Sequence, residues 1–417
     1  MKFLLITNND TDGIGQPVIN LFSNLKNEGH QAKILTLHNF HKNKDIIKIK
    51  RSIFLRLFFY PLNFIKKNFK ELFWFNISTV NYKLIKSYIN NCDVIVIFTF
   101  QKIISTNILK KILIQNKLVF FRPLDMEIIS GGCHFNEHCN KFVSDCSNCP
   151  KVHFDKFFQI ASKNLSKKRK IFKQFKPKVI VQNSYVKSLI KRSSSLKYSN
   201  SKIIPVGVNH ERFKYFSKIE ARKKLGLNLR DKIILFATYN LSSYNKGGHL
   251  LAKSLEILEK KYLLKKKIHK INLLTIGYSS NFNLNLKSIK HINAGIINSD
   301  YKLNLYYRSA DVLVSPSIYD FGPHVVNEAI SNDLPVIAFK VGTANDVVKN
   351  GVNGYLIDCF DTKKLAYAIK KTIIDKKKLI NKNLKNKIKN NRSAKFEAKS
   401  FIKIASTFFK NQKNYEK

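Results

Sequence analysis

Short, wholly apolar runs alternate with longer segments of helical spacing along almost the entire chain. In the first half the runs are KFLLIT (2–7), QAKILTL (31–37), DVIVIF (93–98), KLVFF (117–121), KVIVQ (178–182) and SKIIPV (201–206). Runs without a polar face suit a parallel sheet covered by helices on both sides. QPVINLFSNLKNEG (16–29) supplies one such helix, with Val18, Leu21, Phe22 and Leu25 on one face. From Lys232 the pattern restarts with KIILFAT, HKINLLTIG, DVLVSPS, PVIAFK and NGYLID. A helix over 361–374 is predicted from the cap Asp361-Thr362 and the repeat Leu365, Ile369, Ile373. A chain of 417 residues exceeds one ordinary core. The pattern predicts two doubly wound, Rossmann-like α/β domains facing across a cleft. The first is expected over 1–210 and the second over 211–380. A Lys/Asn-rich helical tail (381–417) is expected to pack back on the first.

Charge adds a second layer. Lys and Arg number 75 against 27 Asp and Glu, a formal net charge of +48. This balance suits an anionic partner, nucleic acid or a membrane surface. Lys, Asn, Ile, Phe and Tyr rise together, however, so compositional drift explains the charge equally well. KIKRSIFLRLFFYPLNFIKKNFKELFWF (48–75) interleaves cations with aromatics. It reads as an interfacial segment on anionic lipid, a single-strand stacking surface, or a helical excursion packed on the first sheet. No run reaches the ~18 apolar residues of a membrane span. MKFLLITNND is too short in apolar residues for a signal segment and reads as the first strand. The expected location is cytoplasmic, with reduced thiols.

The candidate chemistry follows strand ends, where open parallel sheets bind ligands. SPSIYDFGPHVVNEAI (315–330) leaves a strand, turns through Phe321-Gly322-Pro323 and enters a helix near His324. Helix-end amides attract phosphate. Glu328, about a turn inside, suits vicinal hydroxyls, and Asp320 at the strand end suits a sugar. A purely structural alternative has Glu328 favouring the helix end and Asp320 capping it. Lys246 in YNKGG is either a diphosphate counter-charge or a solvated loop lysine. TDGIG (11–15) is no nucleotide fingerprint, but Gly13 and Gly15 are placed to touch an acceptor. Four of the six cysteines, Cys133, Cys139, Cys146 and Cys149, are spaced C-x5-C-x6-C-x2-C with His134 and His138 between them. Structural zinc, free buried thiols and disulfides all remain open, and the spacing implies no open catalytic position.

In order, these stretches resemble the family 4 glycosyltransferases, the large retaining group with the two-Rossmann GT-B fold. SADVLVSPSIYDFGPHVVNEAISNDLPVIAFKVGTANDVVKNGVNGYLID is similar to that family's donor signature, with its acid-x7-acid motif at Asp320 and Glu328. VGVNHERFKYFSKIEARKKLGL and the Lys246-Gly247 pair resemble its linker and donor loop, and LDMEIISGGCHF a cysteine-bearing subgroup linked to surface polysaccharide synthesis. The resemblance implies transfer, with retention, from a nucleoside diphosphate sugar to a lipid-linked or polysaccharide acceptor at an anionic membrane surface. No cofactor or divalent cation is expected for catalysis, zinc at the cysteines would be structural, and no nucleic acid partner is expected. Glu328 would hold the ribose, and Lys246 with amides of Phe321, Gly322, His324 and Val325 the diphosphate. Pro323, lacking an N–H, contributes none. Asp320 and Lys246 would serve catalysis, and Asp125 would lie on the acceptor side. Four positions depart from the family: Asp320 stands for Glu, Leu124 for His, Asp333 for Gly, and Asn240-Leu241 where a basic residue is common. A sugar-nucleotide epimerase or phosphorylase on the same fold, and a non-catalytic polyanion binder, are the alternatives.

Overall fold

A computed structural model describes residues 1–58, 60–65, 73–210, 216–263, 270–278, 282, 284–375, 379 and 382–415. Phe59 and residues 66–72 of the basic–aromatic stretch lie outside them. The chain divides into two compact units, Met1–Gly207 with Ala394–Lys417, and Val208–Ser393.

The first unit carries a seven-stranded sheet of order β3-β2-β1-β4-β5-β6-β7. Its strands are β1 (Lys2–Ile6), β2 (Gln31–Thr36), β3 (Ile46–Lys48), β4 (Val94–Ile97), β5 (Leu118–Phe121), β6 (Lys178–Val181) and β7 (Ser201–Ile203). All pair in parallel. The central strands are buried along their length because helices cover both faces. The helix Asp12–Asn27 packs Val18, Leu21, Phe22 and Leu25 into the core beside Phe3 and Leu5.

The last helix, Ala394–Tyr415, belongs to this unit and inserts Ala398, Phe401 and Ala405 into the same core. Arg122, fully buried, donates to Ile204 O at 2.6 Å and to Glu397 Oε1 at 2.7 Å. Glu397 Oε2 accepts from the Gly207 peptide N–H at 2.7 Å. Burial pushes the Glu397 carboxyl up and the Arg122 guanidinium down, and their mutual attraction opposes both shifts. The helix Lys382–Asn391 stays with the second unit, so the chain re-enters the first at Ala394, later than the boundary expected at 381.

The second unit has six parallel strands, order β10-β9-β8-β11-β12-β13. They are β8 (Lys232–Asn240), β9 (Ile271–Tyr278), β10 (Ile289–Asn293), β11 (Val312–Ser315), β12 (Val336–Phe339) and β13 (Gly354–Ile357). The helix Thr362–Ile373 is capped by Asp361, whose Oδ1 accepts from Lys364 N at 2.9 Å. The chain winds outward from β8 through β9 and β10, then returns to β11 on the other side of β8. A crevice therefore opens above the carboxyl ends of β8 and β11, the position where doubly wound sheets bind ligands. Among the described residues, no helix is long and apolar enough to cross a membrane.

Candidate functional site

Three strand-end loops of the second unit meet at this switch point. The loop after β8 carries Asn245, Lys246 and Gly247. The loop after β11 carries Tyr319 to Pro323. Gly342 follows β12. Ile318 N donates to Asn245 O at 2.9 Å and Asn245 Nδ2 to Tyr319 O at 3.3 Å, which ties the first two loops together. Gly247 has φ +71°, and a Cβ there would stand 1.9 Å from Pro316 O, so the close approach of the loops demands glycine. Lys246 Nζ then lies 2.6 Å from Asp320 Oδ2. The other Asp320 oxygen accepts from Gly322 N at 3.0 Å, so the carboxylate also organises the turn.

Pro323 leads into the helix His324–Ser331, which has no side-chain cap at its N-terminus. Its first amides carry the partial positive charge that suits phosphate. Glu328 is half-buried on this helix, and the Tyr307 hydroxyl donates to its Oε2 at 2.7 Å. Tyr307 is fully buried. Burial first, and then the Glu328 charge, hold its hydroxyl protonated well above the usual phenol range. Tyr307 is thus a fixed donor that orients Glu328. Asp333 sits at φ +60°, the left-handed region that explains why glycine suits this position; Arg308 pairs with it at 3.2 Å.

Lys246, Asp320, Phe321, Gly322, His324, Val325 and Glu328 thus belong to one unit, on loops and a helix that converge. Sequence reasoning missed Tyr307, Asn245 and Gly342. Tyr307 lies 21 residues before Glu328 on another helix and looked like an ordinary core aromatic.

In the first unit, Gly13 and Gly15 lie in the first turns of the helix Asp12–Asn27, which begins earlier than its apolar periodicity indicates. A Cβ on Gly15 would fall 2.2 Å from the Asp10 carbonyl carbon, so packing alone requires this glycine. Asp10 itself is fully buried, and its Oδ2 accepts from Phe40 N at 2.9 Å. Asp125 is buried as well, its carboxylate 3.2 Å from His134 Nδ1 and accepting from Glu127 N at 2.8 Å. Leu124 packs against the core of the unit.

Cys133, Cys139, Cys146 and Cys149 are all free thiols and line one cavity of about 20 Å³, the room of a single small ion or water. Burial pushes Cys133 up to about 11 and Cys146 and Cys149 up to about 12. The donor set suits Zn²⁺, which would bind these sulfurs as thiolates.

The family described as Glycosyl transferases group 1 matches residues 217–393, which covers the switch-point loops. An uncharacterized glycosyltransferase of Methanocaldococcus jannaschii is 28% identical over 187 residues, 42% of this chain and 45% of that protein. The match therefore spans less than half of that relative's length. Sucrose-phosphate synthase from Thermosynechococcus elongatus superposes with a TM-score of 0.70 at 17% identity, covering 99% of this chain and 100% of that one. HepE of Anabaena in complex with UDP-glucose gives 0.65 at 15% identity, covering 98% and 100%. Identities this low speak for the shared two-Rossmann fold alone.

Proposed function

We propose that this chain, whose segment 217–393 matches the family described as Glycosyl transferases group 1, moves a sugar from a nucleoside diphosphate donor to a lipid-linked or polysaccharide acceptor, with retention. The observation that carries the reading is the convergence at the β8/β11 switch point: one ammonium, one carboxylate, a helix N-terminus and a second carboxylate held by a buried phenol. In this reading the diphosphate takes the Lys246 ammonium and the amides of the His324 helix. The ribose hydroxyls donate to Glu328, and the sugar lies against Asp320.

Leaving-group stabilisation dominates the chemistry. Charge develops on the diphosphate as the glycosidic bond breaks, and fixed donors in a partly buried site stabilise it without reorganising. Asp320 holds Lys246 in place before the donor arrives. A UDP-glucose complex of HepE, a protein of the same fold, supports a nucleotide sugar as donor.

A membrane-bound acceptor draws support from the first unit. Ile53, Phe54, Leu57 and Phe64 are each about 70% exposed, in the lysine- and arginine-rich stretch 48–75. Apolar side chains with flanking cations suit an anionic lipid surface. Structural zinc at the four cysteines belongs to the same proposal, with the thiols as ligands and no part in transfer.

A thermal-shift screen of nucleotide sugars tests the donor. A rise in melting temperature with one nucleoside diphosphate sugar, and none with the free sugar, is the expected outcome. Donor consumption without an acceptor would instead indicate an epimerase or phosphorylase. The anomeric configuration of the product, read by NMR, tests retention.

A further inference from the structure

We propose that Asp125, Glu127 and His134 form a binding site for a first-row divalent cation, with Mn²⁺ or Zn²⁺ as the fitting ions. The site lies in the first unit and stands whether or not the chain transfers a sugar.

Three observations lead there. First, these side chains bring two carboxylates and an imidazole within 4.8 Å of one another, the group of this kind among the described residues. The chain folds back to make it: Met126 N donates to His134 O at 2.9 Å, and Glu127 N to Asp125 Oδ1 at 2.8 Å. The ligand atoms are therefore arranged by backbone bonds before any ion arrives.

Second, Glu127 is fully buried, yet among the described residues neither carboxylate oxygen has a partner at hydrogen-bond geometry. The peptide N–H groups of Phe100 and Gln101 lie close enough to favour its charged form, but burial outweighs them. A buried carboxylate without partners is costly, and the nearby Asp125 adds like-charge repulsion. The natural remedy is a cation that both acids share.

Third, the available counter-charge is already engaged. Lys168, fully buried, donates its ammonium protons to the carbonyls of Glu127 and Ser130 and stands 4.6 Å over the Trp74 ring. One such lysine offsets at most one of two adjacent acids.

The donor set selects the ion class. Two oxygens and one imidazole nitrogen suit Mn²⁺, Fe²⁺ or Zn²⁺, whereas Ca²⁺ asks for six to eight oxygens. The thiol cavity nearby includes none of the three side chains in its lining, so the two sites are separate.

The test titrates the full chain, stripped with chelator, with Mn²⁺, and follows the free-ion signal by electron paramagnetic resonance. The expected result is one Mn²⁺ per chain. Glu127→Gln and His134→Gln should each weaken it at least about tenfold, since even outer-shell partners of a metal are worth that much. Cys146→Ser/Cys149→Ser should leave it intact, which separates this site from the thiols. Melting temperature of the wild type should rise with Mn²⁺, and that of Glu127→Gln should not. His134 lies at the partly exposed rim, so its variant remains informative if Glu127→Gln folds poorly. No saturable Mn²⁺ binding overturns the proposal, and would assign Glu127 a proton instead. Equal affinity in wild type and both variants overturns it too.

Discussion

Lys246 Nζ stands 2.6 Å from Asp320 Oδ2, although the two residues are 74 positions apart and leave neighbouring strands on separate loops. The ion pair closes the switch point of the second sheet and fixes the ammonium beside the helix that begins at His324.

Replacing Lys246 by Met keeps the apolar stem and removes the charge. Nucleoside diphosphate affinity should fall about 10- to 100-fold, the worth of one or two charge-assisted hydrogen bonds at ~1.5–3 kcal/mol. Asp320→Asn should behave differently. It frees the ammonium for phosphate, so affinity should hold while turnover drops. Calorimetry beside steady-state rates separates the two effects.

Tyr307→Phe removes one hydroxyl from a buried ring. Glu328 then loses the donor that orients it but keeps its charge. Donor affinity should fall about fivefold, equivalent to ~1 kcal/mol, with the melting profile nearly preserved. A variant that unfolds would instead make Tyr307 a purely structural residue.

Glu397→Ala leaves the Arg122 guanidinium buried and unpaired. The first unit should lose about 3–5 kcal/mol, seen as a lower urea midpoint for its unfolding. Arg122→Met with Glu397→Leu should recover much of that loss, because the desolvation cost disappears with both charges.

Cys146 sets a pH dependence. Burial raises its pKa from 9.0 to about 12 in the folded, metal-free chain. Between these values the unfolded thiol ionises first and the folded one keeps its proton. The native state therefore binds more protons, and stability falls as pH rises from 9 towards 12. Relative to Cys146→Ser, the wild type should lose about 1.4 kcal/mol per pH unit in that window. Unfolding in reductant and chelator at stepped pH checks the sign.

Most strands were legible because a buried parallel strand has no polar face to interrupt its apolar run. β3 and β10 were not. IIK is three residues long, and IKHIN carries Lys290 and His291 within five. Both are edge strands, with one neighbour each and less need for continuous burial. The helix at Asp12 was placed late because TDGIG shows no apolar periodicity, although its backbone already turns. At the candidate site, Lys246, Asp320 and Glu328 were readable because charge after a strand end is informative. Tyr307 and Asn245 were not, since a tyrosine on a helix and an asparagine in a turn are ordinary until the fold places them against the acids. Glu127 was equally silent: only its complete burial beside Asp125 and His134 distinguishes it.

The most direct test of the donor site is calorimetric titration of the wild type and Glu328→Ala with UDP, GDP and ADP. The account predicts saturable binding of at least one of them to the wild type and its loss in the variant, by ~100-fold or more for two hydrogen bonds to a charged acceptor. Equal affinity in both proteins, or no nucleoside diphosphate bound by the wild type, would contradict it.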